Sequence, residues 1–84
     1  MAEKEVGKVM DFFARPVVAG IDVTGTLKTG DKIHIKGHTT DIEMVIDSMQ
    51  IDNADVNKAK KGDSVGIKVP DRVRVGDTVY KVTD

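Results

Sequence analysis

Apolar residues recur at every second position of this sequence, and this alternation constrains the fold more than any other feature. It is clear over residues 17–23, 33–35, 42–46 and 65–69. A period of two places successive side chains on opposite faces of a strand, whereas a helix needs a period of 3.6. Together with an opening strand near residues 6–13 and a last one near residues 79–82, the pattern predicts six strands.

The alternation changes phase within residues 42–51, because Met49 and Ile51 lie on the opposite parity from the apolar positions before them. A phase change of one residue inside a continuous run predicts a β-bulge near residues 47–48. The polar stretch over residues 53–61 is predicted to be the one long connection, with room for a helical turn.

Three segments carry the same turn chemistry. In each, a cation precedes a Gly-Asp pair by two positions, and an apolar residue follows the Asp by two. Glycine supplies the positive φ of a tight turn, and the Asp carboxylate can accept a hydrogen bond from a nearby backbone N–H. We therefore expect each copy to start a strand. The copies are Lys28-Thr29-Gly30-Asp31, Lys60-Lys61-Gly62-Asp63 and Arg74-Val75-Gly76-Asp77.

The length of 84 residues predicts a single domain over residues 1–84. Thirteen basic and fourteen acidic residues give a net charge of -1, which excludes a polybasic nucleic-acid binder but allows a local patch. The absence of cysteine excludes disulfides and thiol catalysis. No long apolar run suggests a signal peptide or a membrane span, so a cytoplasmic protein is expected.

Signals for catalysis are weak. Gly25 and Gly30 have the glycine spacing of a phosphate-binding loop, but Asp31 and Lys32 follow where a lysine and a hydroxyl residue are required. This segment is predicted to be a hairpin turn, and no nucleotide binding is expected. No nucleophile motif of the Gly-x-Ser-x-Gly type occurs. The sequence predicts a protein that is not an enzyme.

The two histidines suggest a metal site only at first sight. His34 and His38 lie four residues apart, close to Asp41 and Glu43. In a strand, His34 is expected to face solvent while His38 belongs to a loop, so one ion would not easily reach both. Both histidines are therefore predicted to be exposed, without a metal or other cofactor.

Four blocks of sequence, in order, resemble one known family. The run VVAGIDVTGTLKTGDKIHI over residues 17–35 resembles the second, β-barrel, domain of the tRNA-delivering translation elongation factors. Residues 39–51, 59–67 and 71–76 resemble later blocks of the same domain, so the likeness covers nearly the whole chain. It implies an all-β fold, namely a small six-stranded closed antiparallel β-barrel of the translation-factor domain II type.

The resemblance also implies a set of binding residues. In that family the domain packs on a GTPase domain, touches ribosomal RNA and helps to hold the 3′ end of aminoacylated tRNA. Asp11 and Phe13 match the acid and aromatic that line the aminoacyl pocket, and Gln50 stands near the position that meets the terminal adenosine. Ser64 replaces an asparagine of the family signature, and Arg15 lies in a shortened loop beside the outward aromatic.

These observations lead to three functional hypotheses. The first is a non-catalytic, translation-factor-like module that contacts RNA or a ribonucleoprotein (tRNA or ribosomal RNA) through Asp11, Phe13, Arg15, Gln50 and Ser64. An exposed Phe13 could stack on a base, or it could equally meet a protein. The alternative is a protein-protein interaction module that docks on a separate partner such as a GTPase or a larger enzyme. The third is an accessory domain of a metabolic enzyme, since similar barrels occur as appended domains in larger enzymes.

Overall fold

The computed structural model describes residues 2–14, 17–52 and 54–83, and these residues form ten antiparallel strands. Eight strands make one sheet in the order β5-β4-β10-β1-β2-β9-β6-β7, and β3 pairs with β8 in a second sheet. The strands are β1 (Ala2–Phe13), β2 (Val18–Val23), β3 (Thr26–Lys28), β4 (Lys32–Lys36), β5 (Asp41–Val45), β6 (Met49–Ile51), β7 (Ala54–Val56), β8 (Lys58–Lys60), β9 (Ser64–Lys68) and β10 (Thr78–Thr83).

The inward faces of these strands form the hydrophobic core. Along β2, buried residues alternate with half-buried ones, as the period of two requires. Burying one such aliphatic side chain stabilises the fold by about 1.5–3 kcal/mol. The core residues are Val6, Val9, Ala19, Ile21, Val23, Leu27, Ile33, Ile35, Ile46, Met49, Ala59, Val65, Ile67, Val69, Val73 and Val79.

The three Gly-Asp turns have the predicted chemistry. Gly30, Gly62 and Gly76 have φ values of 91°, 97° and 97°. In each turn the Asp carboxylate accepts a hydrogen bond from the backbone N–H three residues earlier, at 3.1, 3.0 and 2.8 Å. The strands β4, β9 and β10 begin directly after the turns, so the prediction that each copy starts a strand is confirmed.

Each turn is also tied to a buried residue of another segment through two backbone hydrogen bonds. The N–H of Gly62 donates to the carbonyl of Val23 at 2.9 Å, and the N–H of Val23 donates to the carbonyl of Asp63 at 2.8 Å. The Gly30-Asp31 turn pairs in the same way with Ile46, and the Gly76-Asp77 turn pairs with Val9. The turns therefore fix which residues lie side by side in the sheet.

The all-β antiparallel class is confirmed, but the count of six strands is wrong. The polar stretch over residues 53–61 holds β7 and β8 where a helical turn was considered, and its backbone groups bond to β6 and β3. The predicted hairpin turn at Gly25–Gly30 contains β3, so only its end is a turn. These short strands are polar outside and have too few apolar positions to show an alternation.

The predicted bulge is also misplaced. Residues 46–48 separate β5 from β6 instead of forming a bulge inside one strand. The register shifts lie in β1, between Glu5 and Gly7 and between Val9 and Asp11. Within the described residues, the hydrogen-bonded order of the large sheet ends at β5 and β7. Closure into a barrel and the single-domain organisation therefore remain predictions.

In the described part of the chain, no helix has the length and apolar character needed to cross a membrane.

Replacing Gly62 tests the turn geometry. A Cβ at this position meets nothing within 4 Å, so any cost of Gly62→Ala comes from the backbone at φ +97°. We expect the free energy of unfolding to fall by about 1–2 kcal/mol, as for an L-residue forced into a left-handed conformation. Gly66→Ala is the control, because φ of Gly66 is not positive and an added Cβ makes only ordinary contacts.

Urea denaturation of both variants measures the two free energies. Gly66→Ala is expected to leave stability unchanged or to raise it by about 0.4–1 kcal/mol through the unfolded state. Equal stability of the wild type and Gly62→Ala would contradict the role given to the turn glycine.

Candidate functional site

A groove of about 570 Å³ crosses the outer face of β1, β2, β9 and β6. This volume lies within the range of ligand-binding clefts in proteins. Its described lining combines apolar side chains, carboxylates and two glycines. The lining residues are Met10, Asp11, Phe13, Val18, Gly20, Ile21, Asp22, Gln50, Asp52, Ser64, Val65 and Gly66.

The floor of the groove is made by two glycines on neighbouring strands. Asp11 pairs with Gly20, Gly20 pairs with Gly66, and Gly66 pairs with Gln50, so these four residues form one row across the sheet. The two central positions of the row carry no side chain. Glycine inside a strand weakens it, and often marks a place where a ligand or another backbone approaches closely.

The two sides of the groove differ in chemistry. Two residue pairs further along the strands, Phe13 lies opposite Val18 and forms an apolar side. In the other direction, Asp22 lies opposite Ser64 and forms a polar side. Asp11 and Gln50 close the row at its two ends.

The register shift in β1 adds a further apolar group. Met10 lies between Val9 and Asp11, where the pairing with β2 skips a residue, and its side chain is 55% exposed. Phe13 is 54% exposed, whereas Phe12 packs against the core. The prediction that one of the two adjacent phenylalanines faces outward is confirmed. Large apolar side chains exposed together at a concave surface mark a site of interaction.

The charge of the groove is negative. Asp11, Asp22 and Asp52 line it, and no lysine or arginine is among its described lining residues. The ion pairs formed within the described chain use other carboxylates, on Glu3, Asp31, Asp41 and Glu43. Asp52 has a φ of 51°, a left-handed conformation that Asp and Asn adopt more readily than most residues.

Four of the five residues proposed from the sequence lie together in this groove: Asp11, Phe13, Gln50 and Ser64. The fifth, Arg15, is outside the described residues. Gln50 donates through its side-chain amide to Asp55 at 3.1 Å, which orients it at the end of the row.

The sequence reasoning missed Met10, Gly20, Asp22, Asp52 and Gly66. One usable signal was present, because Gly20 and Gly66 each lie inside a predicted strand, at an outward position between alternating apolar residues. Met10 could not be found in this way, since its exposure depends on a register shift that the sequence does not reveal.

A second polar cluster surrounds His34, on the opposite side of β1. The prediction that His34 faces solvent is wrong, because only 7% of it is exposed. Its Nδ1 lies 2.6 Å from Oε2 of Glu3, and its Nε2 contacts Oδ1 of Asp41. β1 begins at Ala2 and so brings Glu3 over the outer face of β4, which covers the ring. His38 is exposed, as predicted.

Both contacts favour the protonated ring. An imidazolium donates to two carboxylates at once, whereas a neutral imidazole can donate to only one. The carboxylates of Asp41 and Glu3 therefore raise the pKa of His34 above its usual range, although burial of the ring opposes this. The same bonds to His34 lower the pKa of Asp41 and of Glu3, and Lys36 at 3.5 Å adds to the effect on Glu3.

The His34 cluster ties together three strands, β1, β4 and β5. Both ring nitrogens of His34 contact carboxylates, of Glu3 and Asp41, so neither nitrogen is free to bind a metal ion. In the described part of the chain, no group of three or more His, Cys, Asp or Glu residues is arranged to hold a metal ion. We therefore interpret the His34 cluster as a stabilising contact between strands, and the groove as the candidate functional site.

Comparison with known proteins gives the evolutionary setting. Residues 3–83 match the family described as elongation factor Tu domain 4. The match extends over nearly the whole chain and supports a translation-factor-like β domain.

The chain is also similar to parts of larger proteins. It is 48% identical over 77 residues to a Methanocaldococcus jannaschii protein named as an uncharacterized protease, and these residues cover 90% of the chain and 19% of that protein. It is 35% identical over 78 residues to a Porphyromonas gingivalis protein named collagenase, covering 90% of the chain and 22% of that protein. The chain thus spans about a fifth of the length of these relatives.

Solved structures show the same fold. The C-terminal domain of a Geobacillus thermoleovorans protein titled a U32 peptidase superposes with a TM-score of 0.89 at 16% identity, covering 95% of this chain and 93% of that one. A selenomethionine variant of that domain gives a TM-score of 0.88, also at 16% identity, and covers 93% of this chain and 99% of that one.

These findings overturn the first functional hypothesis drawn from the sequence. The prediction of a translation module that contacts tRNA or ribosomal RNA is wrong, because the similar proteins are named as peptidases and collagenases. Docking on a separate protein partner stays a prediction, and these relatives carry the matching segment within one longer chain. A shared fold does not carry function with it, and the translation setting was inferred from fold-level likeness.

The His34 cluster predicts a pH dependence of stability. Because the pKa of His34 is raised, its stabilising effect is complete below about 6.5 and is lost as the pH rises through the raised value. Because the pKa values of Glu3 and Asp41 are lowered from about 4.5 and 3.8, their effect is present above those values and is lost in acid. The cluster therefore contributes most between about pH 4.5 and pH 6.5.

Thermal unfolding between pH 5.5 and pH 8.5 measures the alkaline side of this dependence. The wild type is expected to lose stability over this interval, and His34→Gln is expected to show a flatter profile. His38→Gln, at the exposed histidine, serves as the control and should follow the wild type. A wild-type profile in His34→Gln would show that the cluster does not couple stability to pH.

Proposed function

The chain belongs to the elongation factor Tu domain 4 family, and from this premise we propose that it is a peptidase-associated domain that binds extended polypeptide. The observation that carries the proposal is the 48% identity over 77 residues to a protein named as a protease, together with the groove that this sequence builds. The domain itself is non-catalytic in this proposal, and its contribution to proteolysis is to hold polypeptide.

The small share of the relatives that this segment occupies supports a binding role and not a catalytic one. The matching segment occupies about a fifth of the relatives named as protease and collagenase, which leaves most of each chain to carry peptide hydrolysis. A small appended domain can raise the local concentration of substrate near a catalytic domain without touching the scissile bond.

The groove suits a polypeptide chain. It crosses four strands, which at a spacing of about 4.8 Å makes it roughly 14 Å long. A bound segment of about four extended residues, at about 3.3 Å each, fits this length. The row of Gly20 and Gly66 lets a backbone come close to the sheet, and Phe13, Val18 and Met10 offer apolar contact to its side chains.

We further propose that the two sheets wrap round one core as a closed barrel of the domain II type within a single domain. In sequence, β3 lies between β2 and β4, and β8 lies between β7 and β9, all of which belong to the large sheet. Leu27 and Ala59 from the β3-β8 pair join the core.

Binding of unfolded polypeptide to the purified chain tests the proposal. Fluorescently labelled gelatin and a labelled, reduced and carboxymethylated protein are suitable probes, read by fluorescence polarisation. Phe13→Ala is expected to weaken binding about tenfold, because removing a buried aromatic contact costs about 1.4 kcal/mol or more. Val75→Ala is the matched control, since Val75 is 64% exposed and does not line the groove.

Circular dichroism of both variants checks that the fold is retained. If neither probe binds the wild type, or if Phe13→Ala and Val75→Ala weaken binding equally, the proposed function is wrong. Release of labelled fragments by the purified chain would contradict its non-catalytic role.

A further inference from the structure

Resting on the proposed function, we infer that the groove selects polypeptide segments with a basic residue at each end and apolar residues between. The occupant is a stretch of substrate chain with two arginines or lysines about four positions apart. This inference concerns the chemistry of the bound segment, which neither the family nor the relatives specify.

The carboxylates lie at both ends of the groove. Asp11 is at the β1 end of the glycine row, and Asp52 lies two residues beyond Gln50, which forms the β6 end. Asp22 lies on the polar side between them, opposite Ser64. A segment that lies along the row therefore meets the carboxylate of Asp11 at one end, and those of Asp22 and Asp52 on the polar side and beyond the other end.

The spacing follows from sheet geometry. Asp11 lies on the first of four adjacent strands, and Asp52 lies two residues beyond Gln50 of the last, so three strand spacings of about 4.8 Å and an offset of about 6.6 Å separate them by roughly 16 Å. Two positions four residues apart on an extended segment are separated by about 13 Å. The long side chains of a basic pair with three residues between them can reach both carboxylates, while an adjacent pair reaches only one.

The middle of the groove is apolar on one side. Phe13 and Val18 lie beside the glycine row there, and Phe13 is half exposed. A guanidinium near an aromatic ring also gains cation–π attraction. Groups that carry phosphate are disfavoured in the same place, because three carboxylates would repel them.

The glycine floor offers a way to block the groove without unfolding the chain. A Cβ added to Gly66 would lie 3.4 Å from Cγ1 of Val18 and 4.0 Å from the carbonyl oxygen of Gln50, both ordinary contact distances. Gly66→Ala should therefore keep the fold while it raises the floor under a bound backbone. Gly20 is less suitable, since its added Cβ would lie 3.1 Å from Cβ of Asp11.

Blocked synthetic peptides test the charge requirement. All share one sequence of alternating valine and serine, and they differ only in two positions four residues apart, which hold arginine, glutamine or glutamate. A fourth peptide has the two arginines adjacent. We expect the spaced diarginine peptide to bind most tightly, the adjacent pair more weakly, and the diglutamate peptide not at all. Binding of the spaced peptide should weaken as salt is added.

Neutral isosteric variants test the carboxylates. We expect the affinity for the spaced diarginine peptide to fall about two- to fivefold, the range for exposed ion pairs, in each of Asp11→Asn, Asp22→Asn and Asp52→Asn. Asp52→Asn keeps the backbone at φ 51°, since asparagine tolerates this conformation. Asp47→Asn is the control, at an exposed carboxylate that does not line the groove.

The outcomes separate this inference from the proposed function. If the arginine and glutamine peptides bind equally and Gly66→Ala abolishes the binding of both, the charge selection is wrong while polypeptide binding in the groove stands. No binding of gelatin or of any peptide would overturn both. A concentration-dependent dimer that Gly66→Ala abolishes would show that a second copy of the chain fills the groove, and would also overturn the inference.

Discussion

Six backbone hydrogen bonds between three Gly-Asp turns and the buried residues Ile46, Val23 and Val9 determine how the strands of this protein line up. The Gly62-Asp63 turn holds the start of β9 against the end of β2, which places Gly66 beside Gly20. A slip of one residue in that pairing would turn the glycines inward and send core side chains into solvent. The turns thus fix both the hydrophobic core and the glycine floor of the groove.

The groove illustrates a conflict between stability and binding. Two glycines inside paired strands raise the entropy of the unfolded chain and leave a concave surface without side chains. Apolar Phe13 is left half exposed beside that surface, although the inner faces of β1 and β2 bury Val, Ala and Ile side chains in the core. These features weaken an isolated domain, and they are expected where a backbone must approach the sheet.

Local patterns in the sequence were enough to predict the all-β class and the three turns, because both depend on neighbouring residues. The strands β7 and β8 were not predicted, because their side chains are mostly polar and show no alternation. Both are held by backbone pairing with β6 and β3, which the local sequence does not reveal. His34 was placed wrongly because Glu3 lies 31 positions away, and only the sheet order brings the two together. Asp11, Phe13, Gln50 and Ser64 were proposed through family likeness and lie in one groove, but the likeness pointed to a translation role that the relatives contradict.

Mapping the bound surface residue by residue tests the central claim, that polypeptide binds across the glycine row. Amide chemical shifts of the isotopically labelled chain, recorded by NMR while unlabelled unfolded polypeptide is added, give this map. The account predicts that the largest changes fall on Asp11, Gly20, Gly66 and Gln50, with little change around His34. Changes concentrated on β4, β5 and β10, or an even spread over the surface, would contradict it.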